Sequence, residues 1–238
     1  MEKALIIINA EVDQEGKIIS ASPVTERMVV ALKRGIHANS PNTIIETMSA
    51  GSFSSKSQRI VHKESNITYC PLTIQLPDYC SFPGKEIYAA CKDLNHRRHW
   101  VDKNLGYKTS IGDSWLGNLW LPILLTDKGL LFADIIGEGA IPNYYEQPIN
   151  FPAKKRQSLY RLASNLLEHL SATPAVYLLQ FSLQDQEIIF DRLWPFPAAP
   201  ALASCRNQKA DLFEHHWRCL TGKAILKSDE LKPKMPIL

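Results

Sequence analysis

Six apolar residues, Leu159, Leu162, Ala163, Leu166, Leu167 and Leu170, recur at i, i+3, i+4, i+7, i+8 and i+11. That spacing draws one stripe along an α-helix, and the stripe needs a broad apolar surface to cover. Pro152 fits the first helical position and marks the start. Apolar runs on both sides supply the surface. Leu119 to Leu125 and Gly129 to Ile136 flank Thr126-Asp127-Lys128-Gly129, while Val176 to Leu183 and Glu187 to Asp191 flank Gln184-Asp185-Gln186. Asp and Gly provide the turn chemistry, so both pairs read as antiparallel hairpins. The stretch Pro195 to Pro200 cannot continue the pairing. A closing helix is expected from Asp211 to Leu220, with Asp211 and Glu214 in its first turn and Gly222 just beyond its end.

The first hundred residues read as α/β. Ala4 to Asn9 is an isoleucine-rich buried strand, and Gly16 a turn residue. Ser22 and Pro23 supply an N-cap and an N1 proline, and Val24, Met28, Ala31 and Leu32 recur at helical spacing up to Gly35, a helix of about three turns. Further strands are expected at Thr43 to Thr47 and Ile67 to Leu76, with a short helix at Gly84 to Leu94. The basic run His96-Arg97-Arg98-His99-Trp100 reads as a solvated turn. Neither G-x-G-x-x-G nor G-x-x-x-x-G-K-S/T occurs, so dinucleotide and P-loop chemistry have no motif here. Ala50-Gly51-Ser52-Phe53-Ser54-Ser55-Lys56 comes nearest and reads as a plain loop.

Composition narrows the partners. With 238 residues, 45% of them hydrophobic, one large or two small domains both fit. A net charge of +3 gives no reason to invoke a nucleic-acid or membrane partner. The five apolar residues before Asn9 are too few for a signal core or a membrane span, so a cytoplasmic location is expected. The five cysteines form no C-x-x-C pair and read as reduced thiols.

From Asn118 to Ile225 the order hairpin, long helix, hairpin, proline-rich segment and closing helix resembles the C-terminal part of ATP-grasp enzymes of the phosphoribosylaminoimidazole carboxylase ATPase-subunit type. The family's V-E-F-F strand resembles Val176-Tyr177-Leu178-Leu179-Gln180-Phe181, and its N-E-x-x-P-R-P-H-N-S-G motif resembles Asp191-Arg192-Leu193-Trp194-Pro195-Phe196-Pro197-Ala198-Ala199-Pro200. Its S-Q-F-E-Q-H-L-R-A helix resembles the segment Ala210 to Gly222. The resemblance implies an α/β (α+β) fold with a mostly antiparallel sheet and packed helices in the C-terminal half. It also implies three regions: a small α/β part over 1–105, the ATP-grasp-like part over 106–226 and a tail over 227–238.

In that family two glutamates grip the Mg²⁺ ions that bridge the ATP phosphates. Their positions fall on Gln180 and Arg192, and a guanidinium cannot ligate a cation. Asp191 is the carboxylate left in register. The resemblance therefore implies no magnesium site and no resident cofactor, with ATP still admissible as a ligand. The cleft residues it points to are Gln180, Asp191, Arg192, Lys108 and Arg206. Read as plain structure, Gln180 is a core amide and Arg192 a surface partner of Asp191 or Glu187. The first functional expectation is a non-catalytic binding, regulatory or assembly module with a nucleotide, phosphorylated metabolite or protein as partner. The alternative is an ATP-dependent carboxylate-amine ligase or carboxylase-type enzyme of purine metabolism.

Overall fold

The computed structural model describes residues 2–13, 15–53, 66–112, 117–141, 143–206, 210–225 and 232–233. Near the N-terminus, strand β1 (Lys3–Ile8), the hairpin β2 (Glu11–Val12) and β3 (Ile18–Ser20), helix α1 (Pro23–Asn39), β4 (Ile44–Ser49) and β5 (Ile67–Pro71) succeed one another. They form a three-stranded parallel sheet in the order β4-β1-β5. Strand β5 stops at Pro71, five residues short of the expected Leu76.

Helix α1 begins as read, with Ser22 Oγ accepting the Thr25 N–H, but runs through Gly35 to Asn39. Gly35 serves contact, not termination. A Cβ built there would lie 2.7 Å from the Glu214 Cα on helix α5 (Leu212–Leu220), so the hydrogen side chain is what lets the two helices touch. Helix α2 (Lys85–Lys92) is followed at once by α3 (Leu94–Leu105). The basic run is therefore helical rather than a turn. Asp93 caps α3 by accepting the His96 N–H at 3.1 Å, and Arg97, Arg98 and Val101 fall on its buried face.

The C-terminal half builds the larger sheet. Strands β6 (Lys108–Thr109), β7 (Leu119–Thr126), β8 (Gly129–Phe132), β9 (Ile136–Glu138), β10 (Tyr145–Glu146), β11 (Ala175–Gln184) and β12 (Glu187–Trp194) run in the order β10-β9-β7-β11-β12-β6. Strand β8 pairs with β7 and with β13 (Lys232–Pro233). The expectation of a mostly antiparallel sheet is corrected: the sheet is mixed, because β6 enters from α3 and pairs parallel with β12. The run read as one strand from Gly129 to Ile136 is two, β8 and β9, along the same edge of β7. The break lies opposite Pro122, whose carbonyl still accepts the Ala133 N–H but which has no N–H to return.

Both sheet faces are covered, which explains the unbroken burial of β11 from Ala175 to Ser182. On one face Tyr177, Leu179 and Phe181 meet the striped helix α4 (Ala153–His169), with Pro152 at its N-cap rather than its first helical turn. On the other, Val176 and Leu178 share a core with β1, α1 and α5. Among the described residues, no helix is long and apolar enough to cross a membrane.

Candidate functional site

Gln180 on β11 and Arg192 on β12 are direct cross-strand partners. The register then slips: the next pair is Phe181 with Phe190, and Asp191 is the extra residue of a β-bulge. Strict alternation would send Asp191 away from whatever Arg192 faces. The bulge instead gathers the three side chains. A Cβ on Gly117 would lie 2.7 Å from Gln180 Cγ and 3.0 Å from Asp191 Cβ, so both border the same backbone.

Each group in this cluster is engaged by the chain itself. Gln180 donates from Nε2 to the Gly117 carbonyl at 2.6 Å and accepts from Trp194 Nε1 at 2.9 Å. Asp191, fully buried, pairs through Oδ1 with Arg98 Nη2, and Arg192 Nε lies 3.4 Å from its Oδ2. Arg98, itself buried, donates further to the Asp191 carbonyl at 3.0 Å and to the Gly112 carbonyl at 2.5 Å. The Arg192 guanidinium lies 5.7 Å from the Trp194 ring centre. The result is one carboxylate between two guanidinium groups, with the Gly112 carbonyl bound to one of them and Gly117 close against the carboxylate.

Arg98 is the residue that sequence reading missed, since a run of His and Arg reads as surface. The available signal was Asp93 as an N-cap, from which Leu94, Arg98, Val101 and Leu105 follow at helical spacing on one face.

The structure places the remaining residues elsewhere. Lys108, on the sheet edge, pairs with Glu187, and both are exposed. That pairing, led by the hydrogen bond, raises the Lys108 pKa. Arg206 is exposed at the end of a 3-10 helix (Ala199–Arg206) and stacks over Tyr144 at 4.6 Å. Gly106, with φ +69°, is the C-cap of α3, and the Tyr107 hydroxyl is 2.8 Å from the Ser158 carbonyl. Phe196 is buried and stacked on Tyr88, with centroids 6.1 Å apart. Part of the serine-rich loop near Ala50, residues 54–56, lies outside the described residues.

These groups do not fit magnesium. A hard cation needs several free oxygens, and here the Gln180 oxygen holds an indole N–H while both Asp191 oxygens face guanidinium groups. Among the described residues, no group of three or more His, Cys, Asp or Glu is placed to hold a metal.

A doubly covered sheet beside a small parallel α/β unit, with β11 and β12 joined by a hairpin, is an ATP-grasp-like fold. No family model and no curated protein matches the sequence. Among solved structures, the chain is similar to N5-carboxyaminoimidazole ribonucleotide synthetase from Thermotoga maritima, with a TM-score of 0.67 at 13% identity over 97% of this chain and 78% of that one. The same enzyme type from Staphylococcus aureus, solved with ADP, gives 0.67 at 10% identity over 98% and 80%. Glycinamide-RNase-transformylase T from Mycobacterium tuberculosis gives 0.67 at 12% over 94% and 80%. At such identities the likeness establishes the fold. It also extends the resemblance from the C-terminal half to nearly the whole chain.

Proposed function

We propose that the chain is a non-catalytic ATP-grasp-fold protein, a cytoplasmic binding, regulatory or assembly module that does not use Mg-ATP. One observation carries this reading: Gln180 and Arg192, onto which the resemblance maps the family's two metal-binding glutamates, are cross-strand partners, and the neighbouring Asp191 is neutralised by Arg98 and Arg192. Without metal ligands the phosphate charge of ATP is not offset and in-line transfer is not oriented. Two guanidinium groups around one carboxylate leave one net positive charge, and with Arg98 spent on Asp191 and Gly112 it is Arg192 that makes a phosphorylated metabolite or a nucleotide, taken without magnesium, the small ligand consistent with the site.

The test is a phosphate-release assay with Mg-ATP, aminoimidazole ribonucleotide and bicarbonate, run beside thermal shifts with ATP, ADP and AMP with and without Mg²⁺. Background turnover is expected, and any nucleotide shift should be indifferent to magnesium. A second reading, an ATP-dependent ligase, draws on the similarity to synthetases, one of them solved with ADP. Turnover abolished by chelator would establish that reading and end the first.

A further inference from the structure

Beyond the carboxyl end of β5 the chain makes a loop, 72–84, before entering α2, and between them lies a half-open cavity of about 450 Å³. Its volume lies in the range of small-molecule sites, and its place, outside the carboxyl end of a parallel strand, is where α/β sheets bind ligands. It shares no lining residue with the Gln180–Arg192 cluster.

The two walls differ in chemistry. The loop wall is apolar and preformed: Ile74, Leu76, Pro77, Cys80 and Phe82 line it, and the last of these stacks with Tyr69 at 5.8 Å. Short backbone bonds hold it in shape, Leu76 N–H to the Ile74 carbonyl and Cys80 N–H to the Pro77 carbonyl, each 3.0 Å. The helix wall comes from Lys85, Tyr88, Ala89 and Lys92, at i, i+3, i+4 and i+7 and therefore on one face of α2. Tyr88 is anchored through its hydroxyl to the Pro71 carbonyl at 3.2 Å, and Lys92 Nζ reaches across to the Leu76 carbonyl at 3.5 Å. Ala89 sits between the two lysines and keeps the space open. The lining holds two carboxylates, Asp78 and Asp93, the second also capping α3, beside two ammonium groups; Lys92 is held at the Leu76 carbonyl, whereas Lys85 is in no ion pair among the described residues.

We propose that this cavity is a binding site for a small molecule with an apolar, ring-sized body and one anionic group, the body lying against the loop wall and the charge meeting Lys85. Apolar walls supply affinity, and one charged group sets the orientation. The ordered wall lowers the entropy lost on binding.

The experiment titrates the full chain with 1-anilinonaphthalene-8-sulfonate, an aromatic anion, and with N-phenyl-1-naphthylamine, its uncharged counterpart, following fluorescence and calorimetry. Saturable binding of the anion at one site per chain is expected. Ala89→Trp places an indole in the cavity from an exposed helix position and should weaken both probes by about tenfold or more. Lys85→Gln should weaken the anion about fivefold, the size of a part-exposed ion pair, and leave the neutral probe unchanged. Undiminished binding in an A89W protein whose circular dichroism and melting match the parent would overturn the site. Equal effects of Lys85→Gln on both probes would overturn the anionic assignment. Should A89W not fold, the double variant Lys85→Gln/Lys92→Gln decides in its place: anion affinity unchanged there refutes the proposal.

Discussion

Two adjacent histidines on α5 should make the stability of this protein fall steeply in mild acid. His215 and His216 are both buried, and burial pushes His215 down to about 4 and His216 to about 3, from an ordinary 6.5. For His215, nearby Arg218 adds to the effect. His216 Nδ1 accepts the Val176 N–H at 3.1 Å, which the protonated ring could not do. The sign follows from linkage. Below pH 6.5 the unfolded chain binds protons that the folded chain refuses, so the stability present above 6.5 is lost as the pH falls toward the folded values. A tenfold difference in proton affinity between the two states is worth about 1.4 kcal/mol, so at pH 5 each ring costs about 2 kcal/mol and the pair about 4. That is a large share of a typical folding free energy of about 5–15 kcal/mol.

Urea denaturation at pH 7, 6 and 5 should show this loss, and the ring proton resonances of both histidines should stay at their neutral positions down to pH 5. Comparison with His215→Gln and His216→Gln isolates the pair from the carboxylates, and each substitution should remove about half of the pH dependence. A stability that is flat from pH 7 to 5, or a slope that survives in the double variant, would refute the reasoning.

Other expectations follow from single contacts. Asp191→Ala leaves the buried Arg98 guanidinium without its carboxylate and should cost about 3–5 kcal/mol in a denaturant titration; a loss under about 1 kcal/mol would show the pair to be solvated. Gln180→Glu puts a carboxylate oxygen against the Gly117 carbonyl, now 2.6 Å from the amide nitrogen, and should destabilise by about 1–3 kcal/mol. Combined with Arg192→Glu it restores the family's two carboxylates, and a thermal shift with ATP that newly depends on magnesium would support the alignment. Gly35→Ala gains up to about 1 kcal/mol of helix propensity but drives a methyl to 2.7 Å from the Glu214 Cα. The clash should win, by about 1–3 kcal/mol in thermal melts.

Periodicity carried far in the C-terminal half. The leucine stripe located α4, the two turn sequences located the hairpins, and Asp211 caps α5 by accepting the Phe213 and Glu214 N–H groups. Those features are local: spacing, turn chemistry and caps act within a few residues, so the chain states them directly. The pairing of Gln180 with Arg192 across the second hairpin belongs to the same local order, since it depends only on register along two strands. What the sequence could not decide is how distant segments meet. Gly35 looked like a helix end because its neighbour, Glu214, lies 179 residues away and appears only in the packed structure. That the neighbours Asp191 and Arg192 can turn toward one another depends on a bulge, which strict alternation along a strand cannot foresee. Arg98 looked like surface because its partner is 93 residues along the chain, and a buried arginine is recognisable only by the carboxylate it meets. Local order follows from the period of the side chains, whereas a buried charge is stable only where the fold brings its opposite, and that pairing belongs to the tertiary structure alone.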